Sequence, residues 1–303
     1  MRNTAFRSHS RFHFRSRARG LSLVELMISL VIGLVVVGAV IVSIIGAGNA
    51  GRFQAAFAQM NEDAQIALSI LRRDLEMSGY SQPTALTSSG GASPTLSLTF
   101  GSLGTQTFVF GCDTGFSNPR AATLVCGTAT TPAVEAVYEA DRSNTVLTAA
   151  NVPTDCLGNG IQVGPPYLAR NRFFISTSAS GRPELSCASN HTVATAQPLV
   201  ENIESMKIWY GLAVAASPAQ VVRYVTATQM AVVGATEWNR VISVRVCLIV
   251  KSSEPVLIAA EDDRATVSQL NRYLDCDAAT QTSTDRYLRR AFFTTAAVRD
   301  KMP

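Results

Sequence analysis

Residues 26–51 form a run of 26 positions without a single charge, and one carboxylate, Glu25, stands immediately before it. About 20 apolar residues suffice for a helix to cross a bilayer. The run therefore commits the start of the chain to an apolar surrounding, either lipid or other helices. An unpaired carboxylate in hydrocarbon costs about 2.5–3.5 kcal/mol. That cost singles out Glu25 as a functional residue and demands a partner for it. The preceding residues 1–20 hold six arginines (Arg2, Arg7, Arg11, Arg15, Arg17 and Arg19) and no acid. Positive charge stays on the cytoplasmic side, so residues beyond the span are expected to face across the membrane. An ordinary secretory signal has an apolar core of about 7–15 residues, too short to match. A plain single-span anchor explains the length, but neither Glu25 nor the glycine that ends the basic leader.

The arginine-rich leader also dominates the charge balance. The whole chain is formally +4, with 26 basic and 22 acidic residues. Without residues 1–20 it has 20 basic against 22 acidic residues, a net of −2. The excess of basic residues thus lies in residues 1–20, and nucleic-acid binding, which needs a basic patch on the folded domain, is not expected. All six cysteines (Cys112, Cys126, Cys156, Cys187, Cys247 and Cys276) lie beyond the apolar run. An even number in a translocated domain suggests disulfides in an oxidising compartment, here the periplasm. Fifteen pairings are open to six cysteines, with chain order favouring 112–126, 156–187 and 247–276. No CxxC pair occurs, which argues against a zinc site, and no cofactor is expected.

Catalytic chemistry finds little to stand on. His9 and His13 lie in the leader, so only His191 would serve a triad, and its surroundings (Ala188-Ser189-Asn190-His191-Thr192) read as a polar surface loop. GxSxG, HExxH and P-loop patterns are absent from the sequence.

Beyond Arg52, apolar residues recur at Phe53, Phe57, Met60, Ala64, Leu68, Leu71 and Leu75, in steps that place them on one helical face. Arg72 and Glu76 are spaced for an i, i+4 pair, Gly79 for a helix stop, and Pro83 follows. One helix from about 21 to 78 is expected, with a break near 46–51 as the alternative, since each glycine there weakens it by about 1 kcal/mol. The organisation read from this is a basic leader at 1–20, a membrane-spanning half-helix at 21–51, an amphipathic half-helix at 52–79 and a β-rich domain at 80–303. Within that domain, 95–100 and 105–110 look like a hairpin around Gly101-Ser102-Leu103-Gly104, and 133–139 with 145–148 like another pair. Strands are expected at 172–176, 206–212, 220–225, 240–251 and 287–298, and loops at 81–94, 113–131 and 177–198. In 240–251 one side is wholly apolar (Ile242, Val244, Val246, Leu248, Val250) and the other mixed, as in a strand of a packed sheet.

Gly20-Leu21-Ser22-Leu23-Val24-Glu25, set between the basic leader and the apolar run, resembles the class III signal of type IV prepilins and pseudopilins. The resemblance implies cleavage between Gly20 and Leu21 by a prepilin peptidase, N-methylation of Leu21 and a role for Glu25 in subunit assembly. Further on, Arg73-Asp74-Leu75 with Gly79-Tyr80, Gly111-Cys112-Asp113, Asp155-Cys156-Leu157-Gly158, Leu185-Ser186-Cys187, Tyr210-Gly211, Val244-Arg245-Val246, Leu288-Arg289-Arg290-Ala291-Phe292 and Ala297-Val298-Arg299 resemble the PilW family of pilus assembly proteins. That family implies a pilin-like α+β fold, in which the long N-terminal helix packs on a β-rich, disulfide-containing periplasmic domain. It also implies a minor pilin that primes type IV pilus assembly at or near the fibre tip. The expected partners are other minor pilins, the major pilin, the prepilin peptidase, the inner-membrane assembly machinery and a tip adhesin. A pseudopilin of a type II secretion system shares the N-terminal logic, and a membrane-tethered periplasmic enzyme is the alternative from another class.

Overall fold

The computed structural model describes residues 20, 22–88, 96–100, 107–189, 195–214, 217–256 and 272–298. The chain divides into two compact units, Met1–Gly51 and Arg52–Pro303. Helix α1, Leu23–Met77, is continuous over 55 residues and runs through Gly46, Gly48 and Gly51 without a break. Leu21, the rest of the leader, the Gly101–Gly104 turn and His191 lie outside the described residues.

In the first unit the helix is apolar on every side. Its most apolar 18-residue window has a mean hydropathy of 3.0. A helix of this kind calls for an apolar environment around its whole circumference.

The second unit holds the latter part of α1 and a set of strands. These are β1 (Pro83–Ser88), β2 (Leu96–Phe100), β3 (Val109–Cys112), β4 (Ala133–Glu139), β5 (Leu168–Thr177), β6 (Pro183–Ser189) and β7 (Gln197–Glu201). There follow β8 (Ile203–Val214), β9 (Ser217–Val225), a short helix α2 (Ala227–Val233) with a 3-10 turn after it (Ala235–Arg240), β10 (Val241–Lys251), β11 (Arg272–Leu274), β12 (Thr280–Thr282) and β13 (Arg289–Ala297). All pairings between named strands are antiparallel. One sheet runs β3-β4-β5-β6-β7 and another β13-β10-β8-β9, with β1-β2 and β11-β12 as separate ribbons.

The core joins both large sheets to one stripe of α1. Met60, Ala64, Ala67, Leu71 and Leu75 are buried there with Val134, Phe173, Leu185, Ile208, Tyr210, Val244, Val246 and Leu248. Small residues at 64 and 67 let the helix lie close to the strands. Ala67 takes the fully buried place expected of Leu68, and Phe53 stays largely outside. Arg72 Nε meets Glu76 Oε1 at 2.6 Å on the exposed side. Gly79 closes the helix at φ +79°, where a side chain is disfavoured, and its N–H donates to Val137 O of β4 at 2.9 Å. The stop of the helix is therefore also its attachment to the sheet.

Four expectations are corrected. Strand β2 pairs with β1, and β3 with β4, so 95–100 and 105–110 do not form a hairpin with each other. Residues 145–148 do not pair with β4, whose neighbours are β3 and β5. The expected loop at 81–94 contains β1, and that at 177–198 contains β6 and the start of β7. The physical reason is common to these errors. Alternation identifies a strand but not its partner, and β6 (Pro-Glu-Leu-Ser-Cys-Ala-Ser) carries one large apolar side chain, Leu185, yet lies between β5 and β7 with Leu185 and Cys187 in the core.

Three disulfides staple this unit: Cys112–Cys126, Cys156–Cys187 and Cys247–Cys276, with Cα separations of 5.4, 6.6 and 5.8 Å. They close loops of 14, 31 and 29 residues. In the chain-entropy picture a loop of about 15 residues is worth roughly 3 kcal/mol, and longer ones more. Reduction should lower the melting temperature by at least about 6–12 °C for the equivalent of one bridge in a domain of this size. A melt unchanged by reductant, or thiols that titrate in the native unreduced protein, would refute the role given to these bonds.

Candidate assembly site

The N-terminal residues stand as follows. Gly20 is exposed, and Glu25 lies in the first turn of α1, where a negative charge is favoured by the helix dipole. Ser29 Oγ donates back to the Glu25 carbonyl at 2.6 Å, which satisfies the hydroxyl within the helix. Among the described residues no side chain pairs with the Glu25 carboxylate.

The motif residues of the second unit do structural work that sequence alone did not disclose. Gly111 and Tyr210 meet between the two large sheets: a Cβ on Gly111 would fall 1.8 Å from the Tyr210 hydroxyl oxygen. Asp113, two residues on, accepts from the N–H groups of Ala227 and Thr228 (3.3 and 2.7 Å). It thereby supports the start of α2, which Thr226 and Gln229 also close with a reciprocal capping box. Gly-Cys-Asp is thus a contact point, a disulfide and a cap in three consecutive residues. At the C-terminal motif, Arg289 binds Glu204 and Asp285, and the arginine holds the Asp285 carboxyl far below the usual carboxylate range. Arg290 lies between the rings of Phe57 and Phe292, 5.0 and 5.3 Å from their centroids, which ties β13 to α1.

A second polar group at the helix end was not anticipated. Asp74 is buried, and its Oδ1 accepts from Asn171 Nδ2 and, at 3.2 Å, from the Tyr138 hydroxyl. Asp74 follows Leu71 by three residues and so lies on the same buried stripe, which is the signal that could have found it. The group borders a cavity of 430 Å³ whose rim includes Arg73, Asn144, Thr154 and Asp155. Burial pushes the Asp74 carboxyl upward against the opposing pull of Asn171, Tyr138 and Arg73. A carboxyl whose folded pKa exceeds its unfolded value favours folding while protonated, and that contribution is lost as pH rises through the folded pKa. Wild type should therefore lose stability with rising pH through this group. Asp74→Asn keeps an acceptor for both donors, so it should flatten that dependence. Melts of the two chains between about pH 4 and pH 8 decide this, and parallel curves would refute the assignment.

Among the described residues no three His, Cys, Asp or Glu side chains are grouped to hold a metal. The buried ion pair of Arg172 with Glu135, 2.9 Å apart, is structural. Arg172 also donates to the carbonyls of Pro119 and Ala121 (2.8 and 2.7 Å). That contact pins the loop closed by Cys112–Cys126 onto the sheet.

Residues 23–51 of α1 are apolar on every side and continue in sequence into a disulfide-stapled β-rich domain. Residues 15–46 match the prokaryotic N-terminal methylation motif. Residues 172–300 match the family model described as type IV pilus-assembly protein W, PilW. The resemblance to the PilW family of pilus assembly proteins, a minor-pilin family, is thereby borne out. Among solved structures the chain is similar to a type IV-like pilin from Thermus thermophilus, at 10% identity over 80% of this chain and 97% of that one. The TM-score of 0.34 is too low for that likeness to carry an argument. No curated protein sequence matches the chain.

Proposed function

We propose that this chain is a minor pilin that primes type IV pilus assembly and sits at or near the fibre tip. The observation that carries the reading is the contrast between its two units: a helix apolar all round under a methylation motif, and a large stapled domain. In this reading a prepilin peptidase cuts between Gly20 and Leu21 and Leu21 is methylated. The arginines hold the leader in the cytoplasm, and residues 52–303 lie in the periplasm. The span at 21–51 serves two environments in turn, because bilayer and fibre core are both apolar. In the assembly, Glu25 of one subunit meets the charged N-terminal amine of a neighbour, replacing two isolated charges with a hydrogen-bonded pair.

The partners are other minor pilins, the major pilin and the inner-membrane machinery. The bulky domain favours a cap, where nothing stacks above it, over a repeating position in a thin fibre. Deleting the gene should sharply reduce the number of surface pili while the remaining fibres keep their diameter and main subunit. Blocking retraction should partly restore fibre number, since a primer acts on initiation. Quantitative proteomics of sheared pili provides the check: this chain at parity with the main subunit would overturn the priming role.

A further inference from the structure

On the face of the β13-β10-β8-β9 sheet opposite the core, Arg245 points outward between two aromatic rings. Its guanidinium carbon lies 5.5 Å from the Trp209 ring centroid and 5.1 Å from that of Phe293. The register explains the clamp. Arg245 is directly opposite Trp209 on β8 and Thr295 on β13, while Phe293 is opposite the next outward residue of β10, Cys247. The neighbours are fixed as well: Cys247 is bonded to Cys276, and the Tyr224 hydroxyl meets Ser243 Oγ at 3.3 Å. Lys207 approaches Trp209 too, but its charge is met by Asp277. Arg245 has no such partner. Among the described residues its guanidinium makes no hydrogen bond and no ion pair, although it is exposed. Phe293 beside it is 45% exposed.

An ordinary surface arginine loses rotamer freedom when a partner fixes it. Here the two rings flank the side chain, and its exposed planar N–H fork is shaped for bidentate capture of a carboxylate. Tryptophan and arginine together, with the exposed Phe293 ring beside the charge, match the composition of protein–protein hot spots. A free phosphate or a lipid headgroup would use the charge and leave the rings in water.

We propose that Arg245 and its aromatic clamp form a docking site for an Asp or Glu side chain of a neighbouring pilin-like subunit. The proposal rests on the assembly reading above. It predicts a specific lateral contact made by the domain, separate from the helix bundle.

The test uses the full-length chain in cells that carry its own pilus genes. Thr295, exposed and opposite Arg245, is replaced by photo-reactive benzoylphenylalanine, and cross-linked peptides are mapped by mass spectrometry. The expected adduct joins this chain to a different chain with its own N-terminal methylation motif, at a peptide containing Asp or Glu. Adding Arg245→Gln should reduce its yield about tenfold or more, the loss that follows from removing a charge-assisted hydrogen bond. Arg245→Lys, which keeps the charge without the fork, should give an intermediate yield. Phe293→Leu, which opens the clamp and leaves the arginine, provides a second variant should Arg245→Gln fail to accumulate with its disulfides formed; it should also lower the yield. An adduct unaffected by these changes, one only to lipid, or one to a second copy of this chain overturns the site. So does the absence of any adduct while the chain still co-purifies with pilin-like subunits, an outcome that leaves the assembly reading standing. If no pilin-like subunit co-purifies at all, both readings fall.

Discussion

Gly111→Ala should destabilise the domain by about 3 kcal/mol or more, at the upper end of what overpacking costs. The new methyl would sit 1.8 Å from the Tyr210 hydroxyl oxygen and 2.8 Å from the ring carbon that bears it. Tyr210 has nowhere to go. It is fully buried, and Trp238 packs edge-on against it at 4.8 Å, with Phe110 in turn 5.1 Å from Trp238. On the other side the methyl would meet Ala133 O at 3.1 Å, so the backbone cannot yield either. Out of a typical total stability of about 5–15 kcal/mol, such a loss would show as poor accumulation at growth temperature. Tyr210→Phe removes the atom in closest conflict, so the double variant should recover part of the loss, with a coupling of at least about 1 kcal/mol. Denaturant melts of the four chains measure this. Additive effects, or a Gly111→Ala chain as stable as wild type, would mean that the sheets separate more easily here than the packing indicates.

Gly20→Val and Glu25→Ala should separate processing from assembly. The assigned cleavage falls after a residue without a side chain. A branched residue there should block it completely and leave a precursor about 20 residues longer by the position of Gly20. That precursor keeps six arginines in the cytoplasm and never exposes the amine of Leu21. Glu25→Ala lies past the cut and should be processed normally. Its defect should appear only in co-purification with other pilin-like subunits, because the neighbour's amine loses its partner. Mass spectrometry of the wild-type N-terminus should find N-methylated Leu21. An intact residue 1, a start near Gly51, or full incorporation of Glu25→Ala would contradict these roles.

The two ends of the inference differ in how they are written in the chain. The N-terminal region is local in its logic. An uncharged run of this length, a lone Glu25, a basic leader and a glycine at its end describe their environment without reference to the fold, because lipid imposes its demands residue by residue. The same holds for the amphipathic stripe of α1 and for β10, where period and burial coincide. Strands 8, 9, 10 and 13 could be read along their length because each alternates or runs apolar within itself.

What joins those pieces was decided only by tertiary structure. That β2 turns back to β1, or that a Ser-rich segment becomes the buried β6, depends on neighbours far away in sequence. No local pattern encodes a partner. Gly111 reads as an ordinary glycine until Tyr210 is placed over it, and Asp74 as the end of a helix until Asn171 and Tyr138 close around it. Arg245 reads as the exposed position in an alternating strand, and only the register of three strands brings Trp209 and Phe293 to either side of it. The long helix, its uncharged run and the methylation motif around its start are all legible in the order of residues along the chain. The pairing of strands, the buried carboxyl and the clamped arginine came from packing, because each is a property of distance between residues that the chain separates.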